Sequence, residues 1–112
     1  MAKLRLVRGC HHHKVRQRAE VREVEAARMM VEERLAACIN ILSPVRSIYH
    51  WKGSIETAEE VAAIFKTSDE AADHLITRIA ALHSYDVPCI VTSPIDKVLG
   101  AYADWVEDSV RQ

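Results

Sequence analysis

The sequence predicts an α+β fold: a ferredoxin-like β-α-β-β-α-β sandwich with a long central hairpin and an added C-terminal helix, in one domain over residues 1–112. Three observations predict it. Cys38 to Ser68 is rich in β-branched and aromatic residues on either side of a single tight reversal, Lys52-Gly53. Helix-period apolar stripes flank that hairpin on both sides. Short strand-like runs, Leu4-Leu6-Val7 and Cys89-Ile90-Val91-Thr92, stand outside the helices.

In chain order, Leu4, Leu6 and Val7 predict a short first strand closed by Gly9. Cys10 to Arg18 is polar and basic, with no period of its own. Within it, consecutive His11, His12 and His13 point in different directions, so one tetrahedral site cannot use all three. Such a tract binds nickel or copper opportunistically. From Val21 to Ala37 the spacing of Val24, Ala27, Val31 and Leu35 predicts the first helix, with Met30 alongside and Glu20, Glu23 and Glu25 near its start. Cys38, at the helix-to-strand junction, is expected to be a small buried hydrophobe.

The hairpin follows. Gly53 supplies the positive φ that a two-residue turn needs. Pairing outward from it sets Trp51 opposite Ser54 and Arg46 opposite Glu59, an opposite-charge pair. Pro44 cannot donate to a ladder, so a bulge or bend is expected there. Arms of this length overhang a chain of 112 residues, and the end bearing Tyr49, His50 and Trp51 leaves apolar surface for a partner subunit to cover.

Thr67 and Glu70 stand at capping-box spacing before the second helix, whose stripe is Ala72, Leu75, Ile76 and Ile79, closed by Leu82. Val87-Pro88 breaks the helical pattern and Pro94 stops the last strand. Tyr102, Trp105, Val106 and Ser109 mark one face of a terminal helix after Gly100, with Tyr102 and Trp105 expected to dock it.

Composition narrows the function. Residues 1–28 hold eight Lys/Arg against three Glu, yet the block overlaps a helix pattern and has no Phe, Tyr or Trp. It reads as a solvated face, and the returning arm Val61 to Lys66 lacks the stacked aromatics of RNA-recognition modules, so no nucleic-acid partner is expected. Cys10, Cys38 and Cys89 are odd in number and lack CxxC spacing, which suggests neither a disulfide framework nor a structural zinc site. No apolar run approaches a membrane span, and the first residues lack the apolar core of a secretory signal; the expected compartment is the cytoplasm. There is no GxSxG elbow, HExxH or phosphate-binding glycine loop. Acylphosphatases share the topology, but they use an Asn on the returning hairpin arm, and Ile55 to Thr67 has none. A non-enzymatic role is expected.

Five runs, in order and in register, resemble the CutA family, named for divalent-cation tolerance. They are Val31-Glu32-Glu33-Arg34-Leu35-Ala36-Ala37-Cys38-Ile39-Asn40, Ser47-Ile48-Tyr49-His50-Trp51-Lys52-Gly53, Ile64-Phe65-Lys66-Thr67, His83-Ser84-Tyr85-Asp86-Val87-Pro88 and Ala101-Tyr102-Ala103-Asp104-Trp105. The resemblance implies a ferredoxin-like fold, a homotrimer in which neighbouring hairpins extend each other's sheets, and a role with copper or another divalent cation. The family's architecture is similar to that of PII signalling proteins, so a small-ligand sensor or interaction scaffold stands as the alternative.

The resemblance also marks residues. Cys10 and His83 match positions taken as metal ligands in the family, and thiolate with imidazole suits copper or zinc. Cys89 stands where the family usually has Glu, replacing an acid ligand by a thiol, and is expected near the same region. Arg8-Gly9-Cys10-His11 replaces the family's Thr-Cys-Pro type turn, and the stretch up to Val21 is longer and more basic than in relatives. Tyr49, Trp51, Lys66 and Tyr85 would lie near a cleft between subunits, either as a ligand cleft with aromatic walls and one cation or as interface packing.

Overall fold

The sequence folds around one very long strand. A computed structural model describes the backbone of residues 4–12, 16–42, 45–82 and 89–111, and side chains from residue 24 onward within these ranges. The elements are β1 (Leu4–His12), α1 (Arg16–Glu32), β2 (Cys38–Ile41), β3 (Val45–Trp51), β4 (Ser54–Ser68), α2 (Asp69–Leu82), β5 (Ile90–Pro94) and α3 (Gly100–Val110). The sheet order is β2-β4-β1-β5, with β3 also on β4, and every pairing is antiparallel. This is the predicted β-α-β-β-α-β order with its terminal helix.

The hairpin has the expected register. Trp51 pairs with Ser54 and Arg46 with Glu59. Lys52 and Gly53 both take positive φ, 49° and 81°, so both central residues of the two-residue turn are left-handed and match the strand twist. The outgoing arm is two strands. Ile41 pairs with Ala63 and Val45 with Glu60, so the register against β4 shifts by one between β2 and β3. Pro44 itself lies outside the described residues.

Several boundaries differ from expectation: α1 begins at Arg16, five residues before Val21, and β5 begins at Ile90, not Cys89. β1 does not close at Gly9. It runs to His12, because β4 is long enough to offer Ala63, Ala62, Val61 and Glu60 as partners for Gly9 to His12. α1 ends at Glu32, not Ala37. Arg34 takes φ 59°, its amide donates to the Val31 carbonyl (3.0 Å) and the Leu35 amide donates to Met30 (2.9 Å). That pair of bonds is a Schellman cap with an arginine at the left-handed position, and Leu35 folds back onto Met30 in the core. α2 is capped one residue later than predicted. Ser68 Oγ accepts from the Ala71 amide (3.1 Å), while Thr67, still on β4, points inward and donates from Oγ1 to the Leu35 carbonyl (2.7 Å).

Strand alternation sorts β4 into two faces. Val61, Ala63, Phe65 and Thr67 are buried beneath the helices, whereas Ala62, Ile64 and Lys66 on the opposite face are half-buried. The main core joins Ala63 and Phe65 to Met30, Leu35 and Ala36 from the end of α1 and to Leu75 and Ile79 of α2. A smaller cluster seats α3 through Ala103 and Val106 against Ala37, Ile95 and Val98. Tyr102 packs at that cluster as expected, but Trp105 does not dock the helix. It is 49% exposed, because the inward stripe of α3 is Ala103, Val106 and Val110. Cys38 is likewise half-buried, not a core residue.

Candidate functional site at the ends of strands β1 and β5

β1 lies between β4 and β5, so each of its residues has two cross-strand neighbours. Gly9 pairs with Ile90 in the last step of the β1–β5 ladder. Cys10 and Cys89 are the chain neighbours of that last pair, each one step beyond the end of the ladder. Cys89 is exposed, whereas Ile90 packs against the helix-covered core, as alternation requires. Of the predicted metal-ligating residues, Cys10 lies on β1 and Cys89 immediately precedes β5, 79 positions further along the chain. His83 lies outside the described residues, as does Tyr85.

On its other side, Cys10 pairs with Ala62 and His12 with Glu60. Glu60 is 7% exposed and also pairs with Val45 of β3, so it sits where three strands meet. Sequence reasoning passed over Glu60 because β1 was expected to stop at Gly9. The available signal was the length of the apolar arm that β1 pairs with. Tyr49 stands on the same face. Burial, followed by the nearby carboxylates of Glu56 and Glu60, pushes its phenol above the usual tyrosine range.

The predicted ligand-cleft residues do not assemble within one chain. Trp51 and Tyr49 pair with Ser54 and Glu56 near the hairpin tip, with Lys52 Nζ 5.7 Å from the Trp51 ring centroid. Lys66 is far down the same strand, roughly 30 Å from position 56 at about 3.3 Å per residue. There it faces Cys38 across the β2–β4 ladder, and its ammonium donates to Asn40 Oδ1 and reaches Cys38 Sγ at 4.0 Å. A cleft using both ends of the hairpin needs a second copy of the chain.

A separate concavity of about 280 Å³ opens between the start of α2 and the end of α3, lined by Leu35, Ser68, Glu70, His74, Glu107 and Arg111 among others. Among the described side chains, no three His, Cys, Asp or Glu converge there or elsewhere to hold a metal ion.

Fold and site together define a ferredoxin-like α+β protein with a projecting hairpin and a thiol-bearing strand end. Comparison with known proteins then gives the family. Residues 13–109 match the family model of the CutA1 divalent ion tolerance protein. The chain is 40% identical over 85 residues to the divalent-cation tolerance protein CutA of Archaeoglobus fulgidus, covering 76% of this chain and 82% of that one. It is 41% identical over 91 residues to the protein of that name from Thermotoga maritima, covering 81% and 89%. Among solved structures, CutA1 from Oryza sativa superposes with a TM-score of 0.88 at 30% identity, over 99% of this chain and 96% of that chain. CutA1 from Ehrlichia chaffeensis gives 0.87 at 27% identity, over 100% and 99%. The chain belongs to the CutA family of divalent-cation tolerance proteins.

Proposed function

We propose that this protein binds a divalent cation, copper foremost, through thiolate and imidazole donors at the β1–β5 end of the sheet, and that it does so as a non-enzymatic homotrimer. Cys10, Cys89 and His83 are the ligands of this reading. The observation that carries it is the β1–β5 register, whose last pair, Gly9 with Ile90, joins the chain neighbours of Cys10 and Cys89. Two thiols and an imidazole are donors that copper and zinc prefer to the all-oxygen shells of magnesium and calcium. The role in divalent-ion tolerance attached to the family supports a cation over other ligands. A reducing cytoplasm, which keeps such thiols free, is the compartment that suits this chemistry.

The hairpin supports the trimer. Ile48 and Ile55 are 71% and 70% exposed, and the chain measures 45 × 26 × 23 Å, so an apolar arm projects from the body. Covering it with neighbouring copies removes that surface from water. Light scattering at micromolar concentration is expected to give three times the 12.7 kDa chain mass, and a monomer would sink the assembly.

The metal reading is tested by titrating tag-free protein with copper and zinc beside two multiple variants, Cys10→Ser/His83→Ala and His11→Ala/His12→Ala/His13→Ala. Loss of stoichiometric binding in the first variant is the expected result. A parent protein that binds neither ion, or a first variant that binds like the parent, overturns it.

A further inference from the structure

We infer that Cys38 and Lys66 form a covalent modification site, in which a hydroperoxide oxidises the Cys38 thiol and the Lys66 amine traps the product as a sulfenamide bridging β2 and β4. The inference uses none of the metal ligands proposed above and stands apart from that reading.

Strand register and side-chain contacts carry it together. Cys38 and Lys66 are direct partners in the antiparallel β2–β4 ladder, so their side chains leave the sheet on one face. The Ala37 amide donates to the Lys66 carbonyl at 2.9 Å, which holds the register at that end of β2. Lys66 Nζ lies 4.0 Å from Cys38 Sγ and also donates to Asn40 Oδ1, while Cys38 Sγ is 3.9 Å from the same amide oxygen. Asn40, two residues along β2, thus tethers the ammonium beside the sulfur. Alternation turns Ile39 and Ile41 toward the core and leaves Cys38, Asn40 and Lys66 on the face away from the helices, with Cys38 and Lys66 half-buried. Reactive cysteines occupy such partly exposed, electropositive surroundings.

The fold removes the usual alternative, because a sulfenic acid otherwise condenses with a second thiol. β2 stands at one edge of the sheet and Cys89 immediately precedes β5 at the other, with β4 and β1 between them. Three steps of about 4.8 Å make roughly 14 Å, whereas a disulfide needs Cα atoms within about 7 Å. Cys10 pairs with Ala62, four residues along β4 from Lys66 and on the far side of that strand. Neither thiol reaches Cys38 within one chain, and the nucleophile at hand is the Lys66 amine.

The steps balance. The Cys38 sulfur attacks one oxygen of the hydroperoxide, so an S–O bond forms, the O–O bond breaks and the thiol proton leaves with the water or alcohol released. Sulfur is oxidised by two electrons and the peroxide is reduced by two. Lys66, having given its extra proton to solvent, then attacks the sulfur. An S–N bond forms, the S–O bond breaks, and water carries off the hydroxyl with one amine proton. A small thiol reverses the bridge by attacking sulfur and releasing the amine, and a second such thiol then frees Cys38.

The test exposes the full chain to hydrogen peroxide in the presence of a metal chelator. The parent is compared with Cys38→Ser, Lys66→Arg, Lys66→Gln and Asn40→Ala, each checked for folding by circular dichroism. Tryptic peptides are read by mass spectrometry, and free sulfenic acid is captured with dimedone. The parent is expected to yield peptide 35–46 joined to peptide 53–78, uncleaved at Lys66, lighter than their sum by about 2 Da and separated by dithiothreitol. Both Lys66 variants are expected to lose the joined peptide and to take up more dimedone at Cys38. Asn40→Ala is expected to form the bridge severalfold more slowly. A parent whose Cys38 takes up dimedone or proceeds to sulfinic acid without any joined peptide overturns the inference. A Cys38 disulfide as the product, or a Cys38 thiol that peroxide leaves unreacted, overturns it as well. The parent result decides by itself, so a variant that fails to fold leaves the test intact.

Discussion

Arg78 of α2 donates from Nε and Nη2 to the two carboxylate oxygens of Glu33, at 3.0 and 3.1 Å, and so ties α2 to the residue that follows α1. The fork geometry matches guanidinium to carboxylate, although both groups remain partly solvated. The hydrogen bond from Arg78, and after it the positive charge, holds the Glu33 carboxyl below the usual carboxylate range; the same pairing raises Arg78.

This pairing has a pH signature. The folded-state Glu33 titrates lower than in the unfolded chain, so its stabilisation is present above the unfolded carboxylate value of about 4.3 and is lost as pH falls through the folded value. Glu33→Gln is expected to melt slightly below the parent at neutral pH, by less than either substitution that follows. The two melting curves are expected to converge in acid. Thermal melts at intervals from pH 7 downward check this, and a difference that persists unchanged below the folded value would contradict it.

Arg34 next to it takes a left-handed φ of 59° at the end of α1, a conformation glycine adopts without steric cost. Its Nη1 also donates to the Ser109 carbonyl at 3.3 Å, so replacing the side chain removes a tie to α3 as well. Comparing two truncations isolates the backbone. Arg34→Gly is expected to be more stable than Arg34→Ala by about 1 kcal/mol in urea unfolding. Equal stability would mean that the Schellman cap does not hold this residue left-handed.

Thr67 is fully buried, and its hydroxyl serves the Leu35 carbonyl in that same turn. Thr67→Val keeps the shape and removes the donor, leaving a buried acceptor unpaired. The expected loss is about 1–2 kcal/mol with an unchanged denaturant slope. A neutral result would show that the Leu35 carbonyl finds another donor.

Local chemistry made much of the fold readable. Lys52-Gly53 determined a two-residue turn, and a two-residue turn determines the pairing of every residue out to Arg46 and Glu59. The apolar stripe of α2 was equally plain, with Ala72, Leu75 and Ile79 buried as their spacing indicates. Signals depending on a distant partner misled. Thr67 looked like a helix cap because Glu70 follows at the right spacing, yet it lies on the buried face of β4, and the cap passes to Ser68. Trp105 looked like an anchor by size, yet the smaller Ala103 and Val106 meet the body.

By itself, then, the sequence determined the element order, the hairpin register and the kinship with CutA proteins, all of which rest on residues near one another along the chain. The tertiary structure decided how far β1 extends, and with it which residues stand beside Cys10. A strand's end depends on whether a partner strand is present to pair with it, and the partners of Gly9 to His12 lie some fifty positions away in β4. The polar tract Cys10-His11-His12 has no period of its own, so only pairing with Ala62, Val61 and Glu60 gives it two faces and a geometry.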